Sequence, residues 1–223
     1  DFEDVLAVVD GGVDGIVIPK IVSDDDLGAI NSMVREAEAR KGIEIGRTIL
    51  AATLETAWSL QNADRIARRP YIDVLIGASA KNADVARSVG FRWTREGQET
   101  HYFRSRVVLA ARAYGKLPIG GLWQDVHDLD GLRVWAQSQR NLGFAGELAL
   151  HPSNVPVLNA IFSSSEEELS YYRRMISAFE SAEKEGIAAI LFEGDHIDYA
   201  HYNNAREIIQ RYTNTDGTRS ASR

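Results

Sequence analysis

Short apolar runs alternate with longer stretches of three-to-four periodicity along almost the whole chain. This alternation of strand and helix patterns marks a parallel α/β architecture. Residues 15–20 form a brief buried-type run closed by Pro19, and three acids, Asp24, Asp25 and Asp26, follow it. Short carboxylates accept bonds from free first-turn amides and suit the helix dipole, so a helix is predicted from these acids through Ala39. Residues 48–56 read as the second strand, 62–69 as a helix and 72–77 as the third strand, before a longer polar excursion to about Gln98. Over 100–114, Phe103, Val107, Ala110 and Tyr114 fall on one helical face. Residues 117–123 and 147–150 are the fourth and fifth strands, with a helix over 129–139 between them.

Beyond His151 the pattern changes. An apolar-periodic segment follows His-Pro-Ser-Asn, 166–184 reads as one long helix and 187–192 as a strand, and a polar knot leads into a final helix from about Tyr199. A boundary is predicted near 163–165, giving a domain over 1–163 and a C-terminal extension over 164–223. Five βα units fit either a doubly wound sheet or part of a (β/α)8 barrel. No Gly-x-Gly-x-x-Gly turn follows any of the strands, which removes the usual dinucleotide fingerprint and favours the barrel.

Composition narrows the function classes. The 223 residues suffice for one continuous core. A net charge of −7 argues against nucleic acid or an anionic membrane as the main partner. The chain has no cysteine, which excludes disulfides, thiolate metal sites and a Cys nucleophile and fits a reducing, cytoplasmic setting. No apolar run approaches the roughly 20 residues that span a bilayer, and no signal peptide is visible at Asp1. The first residues read as entry into the middle of a helix, and without an initial Met they point to processing or truncation.

Catalytic groups of a barrel gather where strands end. Lys20 ends the first strand, Glu55 the second, Asp84 lies past the third, and His151 follows the fifth. Two carboxylates from adjacent strand ends suit Mg²⁺, a hard cation that takes oxygen ligands and keeps several waters. Each residue also has a plainer reading: Glu55 as a solvated loop acid, Asp84 as a helix N-cap, Lys20 as an exposed cation, His151 as a bond to a loop carbonyl. Asp195, His196, Asp198 and His201 read either as a metal cluster or as a helix N-cap box with solvated histidines.

Several motifs occur in one order: Ile18-Pro19-Lys20, Leu54-Glu55-Thr56-Ala57, Asp84-Val85-Ala86 with Gly90, an Arg- and Ala-rich 104–112, and Gly143-Phe144 with Gly146 before His151-Pro152-Ser153. Together they resemble the citrate lyase beta subunit family, the lyases and aldolases that cleave citryl, malyl or citramalyl thioesters. The resemblance implies a (β/α)8 TIM barrel whose last strand is the His-Pro-Ser strand, so the chain would lack the first three strands and begin just before the fourth. It further implies Mg²⁺ on Glu55 and Asp84, substrate contacts from Lys20 and His151, and a homo-oligomer, trimeric or hexameric. The segment from Glu193 to Asp198 is similar to a family segment that reaches a neighbouring subunit, where Asp198 would act as acid or base. The implied reaction splits a 3-hydroxyacyl-CoA into an acyl-CoA and a 2-keto acid, or condenses them. A class II pyruvate aldolase on free hydroxy-keto acids and a non-catalytic paralogue remain open. Departures feed the last of these. The family's carboxylate-binding Arg has no counterpart, the Gly77–Asp84 spacing is longer than usual, and Gly120 stands where a carboxylate is expected inside the barrel. Asp84, rather than Ala80, keeps the family's distance to Gly90.

Overall fold

The computed structural model describes residues 2–221, and the chain divides into two compact units between Phe162 and Ser163. In the first unit β1 (Gly15–Ile18), β2 (Ile49–Leu54), β3 (Val74–Gly77), β4 (Leu117–Leu122) and β5 (Gly146–Leu148) pair in parallel, in the order β1-β2-β3-β4-β5. Every strand lies beside its neighbour in sequence. The order never reverses, so the doubly wound alternative is excluded; such a sheet needs a switch point where strand order turns back.

Helices fill the connections: α1 (Phe2–Val8), α2 (Asp24–Arg40), α3 (Ala57–Gln61), α4 (Ala63–Ala67), α5 (Asp84–Val89), α6 (His101–Ala113), α7 (Leu129–Leu142) and α8 (Asn154–Phe162). α2 starts on Ser23 rather than on the acids: the Ser23 hydroxyl accepts from the Asp26 amide, and Asp26 accepts in return from the Ser23 amide at 2.9 Å. The helix predicted over 62–69 is α4, and a further short helix, α3, precedes it. The polar excursion holds α5 and a 3-10 turn at Gln98–Thr100.

Alternation along the strands gives the sheet two different faces. Ile18, Leu50, Ala52, Leu54 and Leu75 pack with Leu27, Val34, Ile66, Val107 and Ala111 of the helices in the main core. On the opposite face Val17, Ile49 and Leu117 are 54%, 43% and 46% exposed. A second apolar cluster, around Trp123, Trp135 and Leu158, joins the end of β4 to α7 and α8.

The second unit consists of α9 (Glu166–Lys184), β6 (Ala189–Phe192), β7 (Asp195–Asp198) and α10 (Tyr199–Ala221). The polar knot is in fact an antiparallel hairpin, with Ala189 opposite Asp198 and Phe192 opposite Asp195. Its two turn residues, Glu193 and Gly194, both have positive φ (48° and 97°), the conformation that joins two-residue hairpins without splaying the strands. Phe179 stacks on Tyr202 at 5.1 Å and meets Tyr199 edge-on, and Met175, Ile197 and Ala205 complete this unit's core.

Candidate active site

Three strand ends are laced together at the C-terminal edge of the sheet. Lys20, just past β1, has a left-handed backbone (φ 55°), uncommon for a side-chain-bearing residue and typical of positions held by function or packing. Its amide donates to Glu55 Oε1 at 2.8 Å, and its ammonium lies 3.5 Å from Asp84 Oδ2. Glu55 is the first residue beyond β2, and Asp84 the first of α5, which follows β3. One residue thus touches both carboxylates from the adjacent strand ends. Thr56 caps α3 and donates to the Ile21 carbonyl at 2.6 Å, while the Ala57 amide donates to Ser88 Oγ at 2.8 Å. Arg87 pairs with Asp84 Oδ1 at 2.6 Å.

Asp84 does begin a helix, but the N-cap position belongs to Ala83, which makes no side-chain cap bond. The Asp84 carboxylate turns instead to Lys20 and Arg87. Among the described residues no group of three or more His, Cys, Asp or Glu converges as a cage, so the reading of Asp195, His196, Asp198 and His201 as a metal cluster falls. A pair of carboxylates does fit Mg²⁺, which uses one or two of them and keeps waters for the rest.

His151 stands apart from this trio. Its Nδ1 accepts from the Ser153 amide at 3.2 Å and lies 2.8 Å from Ser153 Oγ, and its ring meets His127 edge-on at 5.8 Å. The adjacent Asn154 amide group donates to the Val126 carbonyl at 3.1 Å, tying the loop after β5 to the loop after β4. Asp198, in the second unit, accepts from the Ala200 amide at 3.0 Å and lies 2.6 Å from His201 Nδ1. The bond with His201 holds its carboxyl below the usual range, so it is a carboxylate at neutral pH.

The helix-facing layer holds an acid that the sequence pattern gave no reason to single out. Glu147 sits opposite Gly120 in the β4–β5 register, and both its carboxylate oxygens are buried without a hydrogen-bond partner. Burial pushes its carboxyl up to about 8; the Trp135 indole and the Arg104 guanidinium offset only part of that. Arg104 is itself buried, bonded to Gln139 Oε1 at 3.1 Å and to the Gly97 carbonyl at 2.8 Å. A side chain on Gly120 would meet Gln139 of α7, so position 120 faces the helices and no carboxylate is missing from the opposite, open face. No local signal marks Glu147: its nearness to Arg104 of α6 comes from the tertiary packing alone.

Residues 2–152 match the family described as HpcH/HpaI aldolase/citrate lyase. The chain belongs to this family. As a member of the HpcH/HpaI aldolase/citrate lyase family it is an enzyme of the lyase class. It is 30% identical over 208 residues to a (3S)-malyl-CoA thioesterase of Cereibacter sphaeroides, covering 93% of this chain and 68% of that protein. It is 29% identical over 232 residues to an L-malyl-CoA/beta-methylmalyl-CoA lyase of Rhodobacter capsulatus, covering 94% and 71%. The fold matches that of a citrate lyase from Burkholderia xenovorans with a TM-score of 0.82 at 19% identity, over 96% of this chain and 69% of the other. It also matches CitE from Mycobacterium tuberculosis, crystallised with magnesium, acetoacetate and coenzyme A, with a TM-score of 0.65 at 21% identity and 90% of each chain covered. No helix among the described residues is long and apolar enough to cross a membrane.

Proposed function

We propose that this chain is a Mg²⁺-dependent carbon–carbon lyase that splits a 3-hydroxyacyl-CoA of the malyl, citramalyl or citryl type into an acyl-CoA and a 2-keto acid, or runs the reverse condensation. The observation that carries this reading is the double contact of Lys20, whose amide holds Glu55 while its ammonium pairs with Asp84, so both carboxylates lie along one side chain at the C-terminal edge of the sheet. The relatives supply the substrate class: one is named for malyl-CoA lysis, and a structural neighbour holds magnesium and coenzyme A. The five sequential strands are then the last five of a (β/α)8 barrel, and further strands cover Val17, Ile49 and Leu117.

Glu55 and Asp84 would hold the metal, which when bound supplies positive charge to the keto-acid oxygens as the carbon–carbon bond breaks. Lys20 supports the pair: its amide fixes Glu55 and its ammonium balances the Asp84 charge, and with the metal bound that ammonium would meet a substrate carboxylate. His151 presents Nε2 to the substrate, because Nδ1 is occupied as an acceptor from the Ser153 amide. In condensation Asp198, reaching from a neighbouring subunit of a trimer or hexamer, removes the α-proton of the acyl thioester; in cleavage it returns that proton to the enolate carbon.

Incubation of the full chain and Mg²⁺ with malyl-, citramalyl- and citryl-CoA tests the reading through its products. An acyl-CoA with a 2-keto acid is expected. A free hydroxy acid with CoA would mean thioester hydrolysis instead, the reaction for which the Cereibacter sphaeroides relative is named. Turnover confined to pyruvate and free aldehydes would mean the aldolase.

A further inference from the structure

The run His151-Pro152-Ser153-Asn154 forms a capping box at the entry to α8, and the box determines how the His151 ring is held. The Asn154 amide donates to the His151 carbonyl at 2.9 Å and the Val155 amide to the Pro152 carbonyl at 3.2 Å, a tight turn that leads into the helix. His151 caps this turn: its Nδ1 accepts from the Ser153 amide at 3.2 Å and lies 2.8 Å from the Ser153 hydroxyl. Pro152 comes next, where a missing amide donor costs nothing. Asn154 closes the box by accepting from the His151 amide through Oδ1 at 3.1 Å. Its side chain is buried, and the other end donates to the Val126 carbonyl at 3.1 Å. Val126 precedes His127, whose ring meets that of His151 edge-on at 5.8 Å. One buried amide thus anchors the His151 backbone and ties to it the neighbouring loop whose imidazole braces the His151 ring.

The cap also fixes the proton on the ring. An imidazole nitrogen that accepts a hydrogen bond carries no proton, so the neutral ring bears its proton on Nε2. None of the bonds in the box uses Nε2, and His151 is exposed. We propose that the box makes His151 a hydrogen-bond donor, through Nε2–H, to an acceptor oxygen of the substrate rather than a base, and that Asn154 is the positioning residue that aims it. A base at Nε2 would require the other tautomer, whose Nδ1 proton would stand against the Ser153 amide proton. The substrate contact rests on the lyase reading above; the tautomer and its support by Asn154 do not. The oxygen belongs either to the 2-keto acid or to the thioester carbonyl of the acyl-CoA. In both cases a fixed donor acts most strongly where charge gathers on that oxygen during the reaction.

Imidazole nitrogen NMR spectra of the full chain at about pH 8, where an ordinary imidazole is neutral, read the tautomer directly. His151 should show a protonated Nε2 and a bare Nδ1. Its Nε2 resonance should move on addition of Mg²⁺ with oxaloacetate or pyruvate, or of acetyl-CoA, and the probe that moves it identifies the fragment that supplies the oxygen. A protonated Nδ1, or an Nε2 that no probe moves, overturns the proposal. Two substitutions divide the duties of the ring. Asn places an acceptor as many bonds from Cβ as Nδ1, and Gln a donor as many as Nε2, so His151→Asn keeps the cap and loses the donor while His151→Gln does the reverse. With a CoA thioester, His151→Asn should lose roughly 100-fold in kcat/KM at unchanged melting temperature, and His151→Gln about 10-fold. Equal losses in the two would mark a base and overturn the donor role. Asn154→Leu should lower kcat/KM about 10-fold in the wild type and no further in His151→Asn; equal losses in both backgrounds would overturn its positioning role. The His151 variants lie at an exposed position and carry the test if Asn154→Leu fails to fold. Absence of turnover on any thioester overturns the lyase reading alone, and the nitrogen spectra with the same probes then decide the tautomer and the substrate bond.

Discussion

Glu147→Gln should make the protein more stable, and increasingly so as pH rises. The wild-type carboxyl is held at about 8 by burial against an ordinary value of 4.5. As pH climbs past 4.5 the unfolded chain releases this proton while the native state keeps it, so folding stability falls until the native group ionises near 8. A shift of this size corresponds to about 3 kcal/mol of lost stability by pH 7 and about 5 kcal/mol above pH 8, at ~1.4 kcal/mol per unit. The amide keeps the shape of the acid and removes the ionisation. Urea unfolding of both proteins from pH 5 to 8.5 isolates the effect, because the other titrating groups cancel in the difference. The difference should be smallest at pH 5, grow in favour of the variant as pH rises and level off above pH 8, raising the variant's melting temperature by roughly 10 °C or more at pH 8.5 for a chain of this length. A flat difference across the range would refute the reasoning, and would mean that Arg104 already neutralises the ionised acid.

Glu38 gives the opposite sign. Burial alone would raise its carboxyl, but the amides of Gly46 and Thr48 and the Arg35 guanidinium outweigh it and hold the group at about 2. Glu38→Gln should cost about 3 kcal/mol at pH 7, and acid titration should show wild type losing this contribution between pH 4.5 and 2 while the variant does not. Gly97→Ala should destabilise by about 1–3 kcal/mol in thermal unfolding, since Gly97 has φ +64° and a Cβ there would collide with the Trp135 ring. Thr56→Val should cost about 1 kcal/mol in the same assay by removing the α3 cap and its bond to the Ile21 carbonyl.

Much of this architecture is legible in the chain because local pattern and tertiary need coincide. The five strands are short apolar runs between helical periods, and the doubly wound alternative falls only once strand order is seen, which no local pattern encodes. The hairpin at β6–β7 escapes a sequence reading for a local reason: Gly194 advertises a positive φ, whereas Glu193 does not. Lys20, Glu55 and Asp84 stand out as polar residues at strand ends, but their contacts come from chain segments separated by whole βα units. Glu147, Arg104 and Gln139 lie still further from local inference. An acid in a strand reads as a solvated residue unless the helix that covers it is known.

The most direct test of the central claim is calorimetric titration of Mg²⁺ in the presence of oxaloacetate or pyruvate, for wild type, Glu55→Gln and Asp84→Asn. Wild type should bind the metal with the keto acid, and each variant should lose at least ten-fold in affinity while keeping the wild-type melting temperature within a few degrees, since both carboxylates are only partly buried. Equal Mg²⁺ binding in all three proteins, or none in the wild type, would contradict the assignment of Glu55 and Asp84 as the metal pair.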